Sequence, residues 1–322
     1  MTDRARRNFL KLAAAMGGMV YSADLLAVTL RQANPHQEPG DAILPTTVLG
    51  RTGRTVCRLG LGAFPISRIK EEDEAIAVVK RSLELGVRYI DTAPSYGAGR
   101  SERRVGAAVR ASGIPRDEFF VATKTLRRDA GGARSELEES LERLGLDFVD
   151  CVQVHEVHDD VERLFGEDAV LAELEKARGE GLISHIGITG HRNPSYLMQA
   201  IERFDFVTAL VPVNPLDTKH LSFIGDFLPV ARERKVAVIA MKVFAGGSLL
   251  SDGRFTAGEL LRYALSQDEV SVVVPGCETI EHVDEAVAAC RGFDAMAEAD
   301  RAALEERAGE HRGRASEWYK DE

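Results

Sequence analysis

The stretch "LGLGA", Leu59 to Ala63, runs directly into "FPISRIKEEDEA", residues 64–75, and this junction decides the fold. The first segment is a short apolar strand, and the second opens a helical pattern. An open, doubly wound sheet that binds a dinucleotide usually carries a glycine-rich turn after its first strand. No such turn follows Ala63. Seven further apolar runs succeed it: "RYIDT" (88–92), "FFVATK" (119–124), "FVDCVQVH" (148–155), "SHIGIT" (184–189), "VTALVPV" (207–213), "VAVIAMK" (236–242) and "VSVVVPG" (270–276). Helical stretches such as "DEAIAVVKRSLELG", "ARSELEESLERLG", "IGDFLPVARER" and "TIEHVDEAVAAC" fill the intervals. Several end in glycine (Gly86, Gly113, Gly145, Gly181), which suits a helix C-terminus. Strands this apolar belong to a parallel sheet buried on both faces. Eight β/α units close a barrel. The expected fold is α/β, a (β/α)8 TIM barrel.

Immediately upstream, "TTVLGRTGRTVCRLGLG" places two β-type runs around Arg51-Thr52-Gly53, a hairpin expected to cap one end of the barrel. The barrel with its C-terminal helical tail is expected over 45–322, and the polar, proline-containing residues 34–44 read as a linker. Residues 1–33 differ from the rest. They begin "MTDRARRNFLKLAAAMGGMV", with Arg6-Arg7 ahead of an apolar run from Leu12 to Val20. Positive charge followed by a short apolar stretch is the layout of an export signal, too short to span a bilayer. Paired arginines point to the bacterial twin-arginine machinery, which moves folded proteins. The expected location is periplasmic or exported, with the cytoplasm as the alternative. No clean A-x-A site follows, so the reading extends to targeting and not to cleavage.

The bulk numbers narrow the function. A net charge of -10 leaves no basic stripe to meet phosphates, which argues against nucleic-acid binding. Cys57, Cys151, Cys277 and Cys290 form no CxxC pair, so no metal site is expected and the thiols read as small buried hydrophobes.

In a barrel, chemistry gathers at the C-terminal ends of the strands and in the loops that follow. Strand two ends at Asp91 with Tyr96 in its loop, strand three at Lys124, and strand four at His155. A lysine closing a run as apolar as "FFVATK" is costly unless paired, and Asp91 on the adjacent strand is the natural partner. A free phenol titrates near ~10 and exchanges protons poorly at neutral pH. A nearby ammonium favours the phenolate, a carboxylate fixes the ammonium, and an imidazole beside the phenol binds a carbonyl oxygen. The four groups together suit proton delivery to a carbonyl oxygen. His158, past the strand in "EVHDD", is the competitor to His155 and reads as a rim residue.

With "LGLGA", "YIDTAPSYG", "SERRVGAAV", "VATKT", "VDCVQVHEV", "GLISHIGITGH", "MKVFAGG" and "VVVPGCETIEHVDEAV", the chain resembles the aldo-keto reductases from about Thr46 to Cys290. The resemblance implies an NAD(P)H-dependent enzyme that reduces aldehydes and ketones or oxidises the alcohols. Tyr96 would donate the proton, Lys124 and Asp91 would tune it, and His155 would orient the substrate carbonyl beside Phe64. It also implies cofactor contacts from Gly62, Ala63 and Asp91. Thr189 and Gly190 stand where the family usually has a Ser-Asn pair for the nicotinamide amide, so His191 or Asn214 is left to supply that contact. Val213 stands near the place of a stacking tyrosine. Val243, Phe244, Ala245, Gly246 and Gly247 match the loop around the pyrophosphate, and Pro275, Gly276, Cys277, Thr279 and His282 match the adenosine side. NADP(H) is the expected cofactor and NAD(H) the alternative, since Glu278 disfavours a 2′-phosphate. A second reading is a cofactor-binding redox sensor or regulatory subunit with little turnover. The tail "HRGRASEWYKDE" either folds over the barrel mouth or trails free. Substrate and oligomeric state are not legible.

Overall fold

The computed structural model describes residues 43–251, 253–310 and 317–320. The twin-arginine segment and all but the last two linker residues lie outside them. An antiparallel hairpin comes first, β1 (Thr46–Val48) and β2 (Thr55–Cys57), in register from Thr46 opposite Cys57. Eight parallel strands follow: β3 (Gly60–Gly62), β4 (Tyr89–Asp91), β5 (Phe120–Thr125), β6 (Val149–Val154), β7 (Ile183–Thr189), β8 (Thr208–Pro212), β9 (Ala237–Met241) and β10 (Val270–Val273). Each pairs with the next in chain order. The first and last then meet: Leu59 and Gly62 bridge Val273 and Gly276 in parallel, with Gly62 N–H donating to Pro275 O at 2.9 Å. The sheet therefore closes into the expected barrel.

Helices cover the outside: α1 (Glu72–Glu84), α2 (Arg100–Ser112), α3 (Ala130–Leu144), α4 (Val170–Gly179), α5 (Pro194–Arg203), α6 (Leu228–Glu233), α7 (Ala257–Leu265), α8 (Ile280–Cys290) and α9 (Glu298–Glu310). The helix expected across "IGDFLPVARER" is split. Phe223–Phe227 winds as a π-turn and only Leu228–Glu233 is α-helical. Pro229 explains the break, because it brings no N–H to the ladder. At the end of α3, Gly145 holds φ +64°, and a Cβ there would meet Arg110 Nη1 at 2.1 Å. Glycine takes that left-handed turn without steric cost.

Strand alternation sorts the core into two shells. One face packs under the helices. The other fills the barrel interior, where Tyr89, Phe120, Ala122, Cys151, Leu210, Ala237, Ile239, Val272 and Val274 cluster with Leu49 and Val56 of the hairpin. The hairpin thus plugs the end where the strands begin. Continuing the same period two places Asp91, Lys124, Gln153 and His155 towards the interior at the opposite end.

Candidate active site

At that open end Lys124 is almost fully buried, with its ammonium donating to Asp91 Oδ1 at 2.5 Å and to Thr92 O at 2.8 Å. The phenol of Tyr96 is its remaining partner, and Lys124 Nζ lies 4.7 Å from the Tyr96 ring centroid. Removing one member of such a pair strands a buried charge, at a cost of about 3–5 kcal/mol. The second carboxylate oxygen of Asp91 accepts from Gln153 Nε2 at 2.6 Å. Gln153 was missed in the sequence. Its only signal is a polar side chain at an inward position, two residues before His155.

Tyr96 is half-buried. Burial raises its pKa above the ordinary phenol value, and Asp91 adds to the rise while Lys124 opposes it. Lys124 acts in the direction expected from the sequence, but desolvation outweighs it. The phenol is therefore protonated at neutral pH. Its ring meets Phe64 edge-on at 5.1 Å and His155 at 6.5 Å. His155 is pushed down to about 3, by burial first and by the Lys124 charge second. It is a neutral imidazole, and its Nδ1 is buried without a hydrogen-bond partner among the described residues. Arg128 fixes the loop carrying it, donating to the carbonyls of His155 (3.1 Å) and Glu156 (2.8 Å) while paired with Asp160 at 2.6 Å. His158 turns away to Asp159 on the rim.

Across the mouth, on the β7–β9 side, the other candidates are partly engaged. Thr189 donates its hydroxyl to Leu210 O at 2.9 Å. Gly190 lies buried beside it. Asn214 is fully buried; its amide donates to Lys242 O (3.1 Å) and to Tyr319 Oη (3.0 Å), while its oxygen accepts from Leu216 N–H. His191 faces Glu156 with Nε2 and the carbonyl of Tyr319 with Nδ1. The His191 contact holds Glu156 down to about 2. Of the tail, residues 317–320 therefore lie over the mouth, and Tyr319 is buried there. Lys320 anchors it, bonding Asp217 Oδ1 and His220 O at 2.8 Å each, with its side chain and that of Asp217 both buried.

A nicotinamide dinucleotide fits the groups present. Gly246 and Gly247 are exposed, with φ +69° and +96°, and offer bare backbone for close approach to an anion. Lys242 sits beside them, and among the described residues no carboxylate pairs with it. The orphaned His155 Nδ1 is a further polar atom awaiting a partner. Gly62, Ala63, Pro275 and Gly276 lie along the seam that closes the barrel, and Ala63 N–H donates to Asp91 O at 2.8 Å. Val243, Ala245 and Cys277 bury their side chains, which leaves their backbone for any contact. Phe244 is half-buried. Thr279 caps α8, its hydroxyl accepting from His282 N–H at 3.3 Å.

The fold is a (β/α)8 barrel whose open end holds a buried lysine, a carboxylate and a phenol in contact. Residues 58–259, more than half of the chain, match the Aldo/keto reductase family, and the chain belongs to it. It is 29% identical over 296 residues to L-galactose dehydrogenase of Arabidopsis thaliana, covering 77% of this chain and 88% of that one. It is 32% identical over 252 residues to D-threo-aldose 1-dehydrogenase of a Pseudomonas species, covering 65% and 73%. An aldo-keto reductase from Klebsiella pneumoniae, solved in complex with NADPH, superposes with a TM-score of 0.69 at 23% identity, covering 81% of this chain and 94% of that one. The protein is an enzyme of NAD(P)H-dependent carbonyl oxidoreduction.

Proposed function

We propose that the chain interconverts aldehydes or ketones and their alcohols with Tyr96 as the proton donor and acceptor. The observation that carries this is the buried Lys124, bound at once to Asp91 and Tyr96. A nicotinamide cofactor, when bound, would supply or accept the hydride at the carbonyl carbon. Tyr96 gives its proton to the carbonyl oxygen, and Lys124 stabilises the phenolate left behind. Asp91, steadied by Gln153, keeps Lys124 aimed at the phenol. His155, held neutral, positions the carbonyl oxygen by hydrogen bonding, and Phe64 walls the substrate side with an apolar ring. Tyr96→Phe is expected to lower turnover by about 10²–10⁴-fold while leaving cofactor affinity within a few-fold. Near-native turnover in that variant would remove Tyr96 from this role.

NADP(H) is the proposed cofactor, supported by the NADPH-bound relative. Glu278 and Glu281, both exposed at the start of α8, favour the second reading, NAD(H), through repulsion of a 2′-phosphate. Parallel calorimetric titrations with NADPH and NADH decide between them, and equal or tighter NADH binding overturns the proposal.

The Arg6-Arg7 pattern supports export of the folded protein by the twin-arginine route to the periplasm. In cell fractionation, the Arg6→Lys/Arg7→Lys form should stay cytoplasmic while the native form leaves. Two cytoplasmic forms would rule the route out.

A further inference from the structure

The C-terminal tail rests on the cofactor side of the mouth, and four observations concern how it is held. Lys320 and Asp217 form a buried pair; Asp217 also accepts from Ser222 Oγ (3.0 Å) and Ile224 N–H (2.7 Å). Lifting the tail away would take from Asp217 the one cation it pairs with among the described residues, so the latch opposes release. Tyr319, next to the latch, bonds Asn214 and His191. These residues follow β8 and β7, the places from which the family resemblance expects the nicotinamide amide to be held. Trp318 is 66% exposed, unlike its neighbours, and its Nε1 lies 3.0 Å from where a Cβ on Gly246 would stand. The ammonium of Lys242 sits 5.1 Å from the Trp318 ring and 4.8 Å from the Tyr319 ring, where burial lowers its pKa.

No tyrosine stands at the stacking position on this side: Val213 occupies that neighbourhood and is fully buried. The tail brings two aromatic rings there instead. An exposed indole beside a bare glycine turn, with a cation beneath it, suits a flat ring joined to an anionic bridge.

We propose that the tail completes the cofactor site: Trp318 lies against a nicotinamide dinucleotide as it crosses the Gly246-Gly247 turn, Lys242 faces its pyrophosphate, and the Lys320–Asp217 latch holds the tail in place. The proposal rests on the dinucleotide reading given above and extends it to residues far from the family's matched region. Substrate enters on the β3–β6 side, beside Phe64, Tyr96 and His155.

Trp318 is the sole tryptophan in the chain, so its emission reports the tail alone. Titration of the full-length protein with NADPH and with NADH should quench that emission saturably and produce sensitised emission from the reduced nicotinamide. The midpoint should match the dissociation constant from calorimetry. Trp318→Ala should weaken dinucleotide affinity at least tenfold with the melting temperature unchanged. Lys320→Met, checked for folding by circular dichroism, should weaken affinity and abolish energy transfer in its own Trp318 signal. Calorimetric binding without any change in Trp318 emission overturns the tail's role and leaves the enzyme reading intact. Tighter binding in Trp318→Ala and Lys320→Met overturns it too, because the tail would then be a competitor for the site. No calorimetric binding of either dinucleotide to the native chain removes both readings.

Discussion

Asp91 and Lys124 do opposite things to the same proton. Lys124 draws the Tyr96 phenol towards ionisation, while Asp91 and burial hold it neutral, and burial is the larger influence. The balance leaves the phenol protonated across the neutral range. Carbonyl reduction should therefore hold steady through neutral pH and fall only above the ordinary phenol range near ~10. Alcohol oxidation needs the phenolate and should climb with pH instead. Asp91→Asn removes an influence that raises the phenol, so the rising limb of oxidation should move to lower pH. A pH profile of kcat for alcohol oxidation in both forms checks this, and a limb that stays in place or moves up contradicts the assigned electrostatics. Asp91, Lys124 and His155 were legible in the sequence because each ends an apolar run where an uncompensated polar group is costly, and Tyr96 because it follows one such end. Gln153, Glu156 and Lys242 were not. Gln153 carries no charge to stand out, Glu156 lies in an acidic loop, and Lys242 reads as an ordinary strand end. The grip of Tyr319 on Asn214 joins residues 105 apart and leaves no local pattern.

Among the elements, the hairpin has the clearest separate duty. Leu49 is fully buried at the strand-start end, packed with the interior cluster rather than with the helical shell. Leu49→Ala should cost about 2–5 kcal/mol in chemical denaturation. Because the plug lies at the end opposite Tyr96, kcat at moderate temperature should stay within a few-fold of native. A large kcat loss in a folded variant would mean that the two ends communicate. All eight barrel strands were readable because burial on both faces makes them continuous apolar runs. α6 was read too long because the apolar pattern runs on through Pro229. α9 is the helical part of the expected C-terminal tail, but its bounds were not legible. Its surface is polar almost throughout, and it buries only Leu304 and Ala308, so it carries little apolar periodicity.

For the molecule as a whole, the groups at the mouth set its acid limit. His155 falls from an ordinary value of 6.5 to about 3 in the fold, so the unfolded chain binds its proton more readily. That contribution to stability is complete above about pH 6.5 and disappears as pH falls towards 3, a loss of a few kcal/mol. Glu156, brought from 4.5 to about 2, loses its share at still lower pH. The melting temperature should drop steadily below about pH 6, and His155→Asn should flatten the upper part of that decline. An unchanged slope in that variant would assign the acid limit elsewhere.

The seam between the first and last barrel strands also has a consequence in time. Val273 N–H reaches Arg58 O, and Gly62 N–H reaches Pro275 O, contacts separated by more than two hundred residues of chain. A ribosome makes the first strand long before the last, so the nascent chain spends most of its synthesis with two open sheet edges. Asp91, Lys124 and His155 all lie in the early half, yet the burial of Asp91 and Lys124 is complete only when the ring is shut. The pairing that shuts the barrel therefore comes only near the end of synthesis, after Asp91, Tyr96, Lys124 and His155 have all been made.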